Sequence, residues 1–248
     1  MRLMEGLRFA VGTLSVFPVR VERVDRQVAG RAMTLAPFLG PVLGLVAGSP
    51  LLLTGDRSLL GAALAVGLLA LLTRGLHLDG LADLADGLGS GKPPGQALDI
   101  MKKSDIGPFG VMTLVLTLLV QVAALAEAGF WALVTACLAG RLALTWACRE
   151  GVAAARPDGL GAMVAGTVRR PAAWLVTLAA LLIAALIGLL TTPGAVYVAP
   201  GAVLAGLGAA LLLLRHAGRR LGGVTGDVLG ALVETATAAA LVAYAVLA

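Results

Sequence analysis

Apolar residues run along this chain in long blocks, and charge is confined to the gaps between them. No charged residue occurs in 32–55, 106–126 or 171–214, and Thr191-Thr192-Pro193-Gly194 divides the last block in two. A hydrocarbon core about 30 Å thick needs about 20 apolar residues in a helix. The pattern predicts spans near 33–53, 58–76, 107–126, 129–148, 172–190, 195–214 and 229–247. The second is short enough to be re-entrant and the seventh carries Glu234, so the expected count is six or seven. The expected fold is all-α, a polytopic helical membrane protein forming one membrane domain over 1–248. An interfacial N-terminal helix is expected from the short apolar stretch at 9–19. That stretch lacks a small-residue cleavage site and runs into Arg20, Glu22 and Arg23.

Composition strengthens this reading. Hydrophobic residues make up 59% of the chain and charged residues only 13%. A soluble domain carries about 25% charged residues. Seventeen of the nineteen Lys and Arg residues fall in alternate gaps, which predicts that those gaps and the N-terminus are cytoplasmic. The exceptions are Arg57, in an opposite gap, and Arg141, within a span. The basic balance thus reflects topology, and no nucleic-acid partner is expected. Cys137 and Cys148 share one predicted helix, about 16 Å apart along its axis, and cannot pair within it. Gly40, Gly44 and Gly48 form a close-packing ridge. Packing within the monomer accounts for it, and an oligomer is also compatible.

Against this apolar background one segment stands out: HLDGLADLADGLG at 77–89. Asp79, Asp83 and Asp86 are spaced i, i+4 and i+7, so on a helix they lie within about 60° of arc. Three like charges on one face call for a positive partner: a divalent cation, a cationic substrate or water. One solvated helix face is the plainer explanation, but charge is scarce here. Further candidates lie in the other basic gaps. Lys102, Lys103, Ser104 and Asp105 precede the third span, ARPDGLGA occupies 155–162, and RRLGGVTGDVLGALVE occupies 219–234. In the last, Asp227 and Glu234 share a helix face, and Gly222, Gly223 and Gly226 permit close backbone approach to a ligand. Clustered carboxylates suggest Mg²⁺, which bridges one or two of them to substrate phosphates. Nearby Arg and Lys would hold the phosphates. Lys102 and Lys103 serve equally well as membrane anchors. An Arg inside a span, such as Arg141, pairs or faces a polar cavity, and an Arg–carboxylate pair with Glu234 is the plainer explanation.

The motifs RGLHLDGLADLADGL at 74–88, MKKSDIGPFGV at 101–111 and LGGVTGDVLGALVE at 221–234 resemble the cobalamin synthase family of adenosylcobinamide-GDP ribazoletransferases. FAVGTLSVFPV at 9–19 is similar to that family's N-terminal stretch, so the likeness covers the whole chain. It departs at Lys103, where many members carry Asp; Asp105 lies two positions on. The resemblance implies a Mg²⁺-dependent transferase of the prokaryotic cytoplasmic membrane. It joins adenosylcobinamide-GDP to α-ribazole or its 5′-phosphate and releases GMP. It implies Asp79, Asp83, Asp227 and Glu234 as metal ligands, and Asp86, Lys102, Lys103 and Asp105 as catalytic residues. His77, Arg141, Gly223, Thr225 and Gly226 are the implied substrate-binding residues. A lipid enzyme of the CDP-alcohol phosphotransferase type is a rival, but its pattern expects Arg where Asp83 follows Ala82. A carboxylate-based transporter is a second rival, although such proteins carry repeats and midplane charges. Liposome flux without turnover would favour the transporter, and nucleotide release in detergent the enzyme.

Overall fold

The protein is described by a computed structural model over residues 2–191 and 196–248. Thr192, Pro193 and Gly194 of the expected break, and the first residue of the span at 195–214, lie outside the described residues. The described residues form helices joined by turns, with two isolated bridges, Arg149 with Val168 and Ala154 with Val224. The helices are α1 (Arg2–Leu14), α2 (Arg26–Ala47), α3 (Ser49–Thr54), α4 (Leu59–Leu72), α5 (Leu76–Gly89) and α6 (Pro94–Ile100). Then follow α7 (Pro108–Ala128), α8 (Phe130–Ala147), α9 (Gly159–Val164), α10 (Arg170–Thr191), α11 (Val198–Leu221) and α12 (Gly226–Leu247).

Among the described residues six helical segments are long and apolar enough to cross a membrane: α2 with α3, then α7, α8, α10, α11 and α12. The short second span is α4, which at 14 residues is about 21 Å long. Just before it, Asp56 accepts a 2.7 Å bond from the Phe130 amide at the turn between α7 and α8. Just after it, Arg74 donates to the Gly12 carbonyl on α1. Arg74 and Gly75 then take positive φ values of 57° and 65°, and α5 leaves at 89° to α4. That corner holds the aspartate-bearing helix against one end of the bundle.

The centre is α8, in which only Trp131 and Trp146 are not buried. Glycines set how closely its neighbours approach. A Cβ at Gly40 would meet the Cys137 carbonyl oxygen at 2.4 Å, and one at Gly44 would meet the Val134 Cα at 2.6 Å. The glycine ridge of α2 is thus spent on α8 within the chain. Cys137 and Cys148 are buried free thiols. Leucines on the outer faces of α7, α10 and α11, such as Leu119, Leu182, Leu190 and Leu212, stay exposed, as a lipid-facing surface requires. The helix at the N-terminus docks Phe9, Ala10 and Leu14 into the core and leaves Leu3, Met4 and Leu7 exposed.

Candidate active site

The site begins where α5 crosses α12. A Cβ at Gly80 would stand 2.8 Å from the Asp227 carbonyl oxygen, and one at Gly230 would stand 3.1 Å from the His77 Cα. The two backbones therefore touch, which brings the acids of one helix to the first turn of the other. The charges of Asp79, Asp227 and Asp86 all act on Asp83, opposed by Arg156.

Asp227 is fixed by its neighbours. Thr225 caps α12, its hydroxyl oxygen accepting from the Val228 amide at 3.2 Å, and it donates to Asp227 Oδ2 at 3.2 Å. Arg156 Nη1 lies 4.0 Å from the same oxygen. The Arg156 loop is pinned to the segment before α12: the Ala155 amide donates to the Val224 carbonyl at 3.0 Å, and the Val224 amide to the Ala153 carbonyl at 2.9 Å. Gly223 serves this contact, because a Cβ there would meet the Ala153 carbonyl oxygen at 2.3 Å. A further Arg156 N–H is donated to the Leu98 carbonyl on α6.

These elements enclose a cavity of about 390 Å³. Asp79, Arg156, Asp158, Thr225 and Asp227 give it charge and polarity, and Gly159, Gly161, Gly226 and Gly230 let backbone approach. Leu14, Met33, Leu144, Leu160 and Leu229 form apolar wall, and His77 also lines it. Asp158 sits at the N-cap of α9 without making a side-chain cap bond.

The other expected site residues lie elsewhere. Asp86 is buried and accepts from the amides of Gly107 at 2.7 Å and Gly110 at 2.9 Å, capping α7. Glu234 is two helical turns, about 10 Å, deeper than Asp227. Its Oε2 accepts from Gln121 Nε2 at 2.7 Å, and the charge of Arg141 acts on it. Arg141 is 1% exposed, with Nε and Nη2 unpartnered. Lys102, Lys103 and Asp105 are exposed between α6 and α7, with no ion pair among the described residues. None of these six lines the cavity.

Sequence reasoning did not single out Arg156 or Asp158. The one available signal was ARPDGLGA, a Pro- and Gly-containing loop carrying both charges between two spans. Among the described residues no three His, Cys, Asp or Glu side chains form a ready metal cluster. The donor chemistry still suits Mg²⁺, which takes one or two carboxylates and completes its shell with water and substrate phosphate. Asp79 and Asp227, which line the cavity, and Asp83, on which the charges of both act, are the carboxylates that would take that part.

Fold and cavity together define a polytopic α-helical membrane protein with a charged cavity at one end of its helix bundle. Comparison with known proteins narrows this class. The model of the cobalamin-5-phosphate synthase family matches residues 6–245. The adenosylcobinamide-GDP ribazoletransferase of Frankia casuarinae is 47% identical, over 98% of this chain and 95% of that protein. Those of a Nocardioides species and Corynebacterium diphtheriae are 42% and 32% identical over 98% of this chain, covering 99% and 92% of their own lengths. No solved structure matches. The chain belongs to the cobalamin-5-phosphate synthase family, and so to the membrane transferases of ribazoletransferase type in cobalamin nucleotide-loop assembly.

Proposed function

We propose that the protein joins adenosylcobinamide-GDP to α-ribazole, or its 5′-phosphate, giving adenosylcobalamin, or its 5′-phosphate, and GMP. The observation that carries this reading is the contact of Gly80 with Asp227, which puts carboxylates of α5 and α12 on one cavity beside Arg156. A diphosphate needs that combination: a guanidinium for its oxygens, and acids to hold the cation that accompanies it.

Asp79, Asp83 and Asp227 would hold Mg²⁺, which when bound neutralises charge on the phosphate oxygens. The chain's own residues do the rest. Arg156 orients the diphosphate from the Asp227 side, and its bond to the Leu98 carbonyl fixes the guanidinium plane. Asp158, free of a cap bond, takes the proton of the acceptor hydroxyl. The hydroxyl oxygen forms a bond to the phosphorus on the cobinamide side. The bond from that phosphorus to the bridging oxygen breaks, and GMP leaves with the electron pair. Asp86 and Glu234 have structural duties in this scheme. Clustering of basic residues on the site's side supports a cytoplasmic site in the prokaryotic inner membrane.

The test is turnover by purified protein in detergent. GMP should appear only when Mg²⁺, the corrinoid–GDP donor and the ribazole acceptor are all present, and chelation should stop it. GMP release without the acceptor, or none with all three, would sink the reading.

A further inference from the structure

The cavity is not uniform along its depth. Asp79, Asp158 and Gly159 are exposed and mark its mouth. Leu14, Met33, Leu144 and Leu229 are 4%, 1%, 2% and 3% exposed and mark its buried end. These four come from α1, α2, α8 and α12, so the buried end is an apolar chamber made by four helices.

His77 belongs to that end, at 3% exposed, and neither Nδ1 nor Nε2 has a partner. A neutral imidazole offers one N–H donor and one acceptor nitrogen. Leaving both unmet inside apolar surroundings is costly, so the position calls for something polar in the cavity. The cavity lining at this end is aliphatic, and the buried Arg141, whose charge acts on His77, does not line the cavity, so no guanidinium is presented to a phosphate there. A planar heteroaromatic ring with a ring nitrogen satisfies both conditions: its faces pack on leucine and methionine, and its nitrogen meets His77. The charged mouth, with Arg156 beside Asp227, is left to the phosphates.

We infer that the buried end of the cavity is a base subsite, in which His77 hydrogen-bonds the ring nitrogen of the acceptor's heteroaromatic base. This rests on the transfer reaction proposed above for the identity of the acceptor, but not for the binding. His77 is thus a specificity residue that reads a nitrogen lone pair, while the chamber reads a flat apolar ring. A site built to hydrogen-bond a substrate atom rejects the isostere that lacks it.

Benzimidazole and its isostere indole, whose five-membered ring has C–H in place of the acceptor nitrogen, are the probes. Binding to the full-length protein in detergent is measured by fluorescence or calorimetry, without donor. Benzimidazole should bind at least tenfold tighter than indole, and His77→Leu should remove the preference. Equal binding of the two by the wild-type protein overturns the inference, as does a preference that survives in His77→Leu. His77→Asn, which keeps a donor and an acceptor, should retain part of the preference if His77→Leu does not fold. In turnover with the ribazole acceptor, His77→Leu should raise the acceptor KM at least tenfold and move the donor KM less than twofold. Equal changes in both would mean a structural role only. Absence of turnover in the wild type would sink the proposed reaction and leave the binding comparison to decide the subsite.

Discussion

Gly80 of α5 lies directly on the backbone of Asp227 in α12, where a Cβ would come within 2.8 Å of the carbonyl oxygen. The atom in the way is backbone, which has no rotamer to yield. Gly80→Val should therefore push the two helices apart at the cavity. Overpacking of this kind costs about 1–3 kcal/mol. Displacing the acids by even 1 Å should lower turnover on the order of a hundredfold. Thermal melting and GMP release on the same preparation check both, and a fully active Gly80→Val would remove the crossing as the basis of the site.

Arg156 donates to the Leu98 carbonyl and stands 4.0 Å from Asp227, so its fork is tethered on one side and faces the acid on the other. Arg156→Ala should lower kcat/KM about a hundredfold or more, the usual cost of one pre-set donor to transition-state charge. Arg156→Lys should recover little, because an ammonium keeps the charge but not the planar fork. Kinetics of both variants test this. Recovery to within twofold by lysine would mean that charge alone matters there.

Legibility in the sequence followed scarcity. Asp79, Asp83 and Asp227 stood out because acids are rare in an apolar chain, and the structure brings them to one crossing. Arg156 was hidden among seventeen basic residues that read as topology signals, and only the fold reveals which one turns toward Asp227. Helical spacing also misleads about depth. Asp227 and Glu234 share a face, yet one lies at the cavity and the other about 10 Å inside. The helices were plain from the charge-free blocks, whereas the 89° corner after α4 depended on two consecutive left-handed residues, one of them not a glycine.

Asp79→Asn and Asp83→Asn should change the response to Mg²⁺. Each removes one charge from an open set that would hold the cation together with Asp227. The concentration of Mg²⁺ for half-maximal turnover should rise at least tenfold, with partial rescue at high Mg²⁺. A titration of rate against Mg²⁺ reads this directly, and an unchanged half-saturation in both variants would exclude the acids of α5 as ligands.

Arg141 and Glu234 are buried on adjacent helices and act on one another electrostatically, with no ion pair within 4.0 Å among the described residues. Removing one charge leaves the other uncompensated. Glu234→Gln or Arg141→Met alone should cost on the order of 3 kcal/mol. The double variant should cost less than the sum of the two, and the coupling in a double-mutant cycle should exceed about 0.5 kcal/mol. Strict additivity in thermal melting would show that the two charges do not support each other.

Asp86 shares its helix face with Asp79 and Asp83, yet its carboxylate is engaged by the amides of Gly107 and Gly110 at the start of α7. A Cβ at Gly107 would stand 2.4 Å from Asp86 Oδ1, so both glycines are needed for the acid to reach that helix end. Asp86→Ala leaves two amides without an acceptor, that of Gly107 half-buried and that of Gly110 buried. The expected loss is about 2 kcal/mol, or on the order of 5 °C in Tm for a chain of this size. Asp86→Asn keeps a carbonyl oxygen that accepts one amide, so its loss should be less than half as great. If Asp86 instead took part in the chemistry, both variants would lose turnover at unchanged Tm. Capping predicts the reverse order of effects: melting falls in proportion to the lost bonds, and Asp86→Asn keeps most of its turnover at a temperature where it is folded.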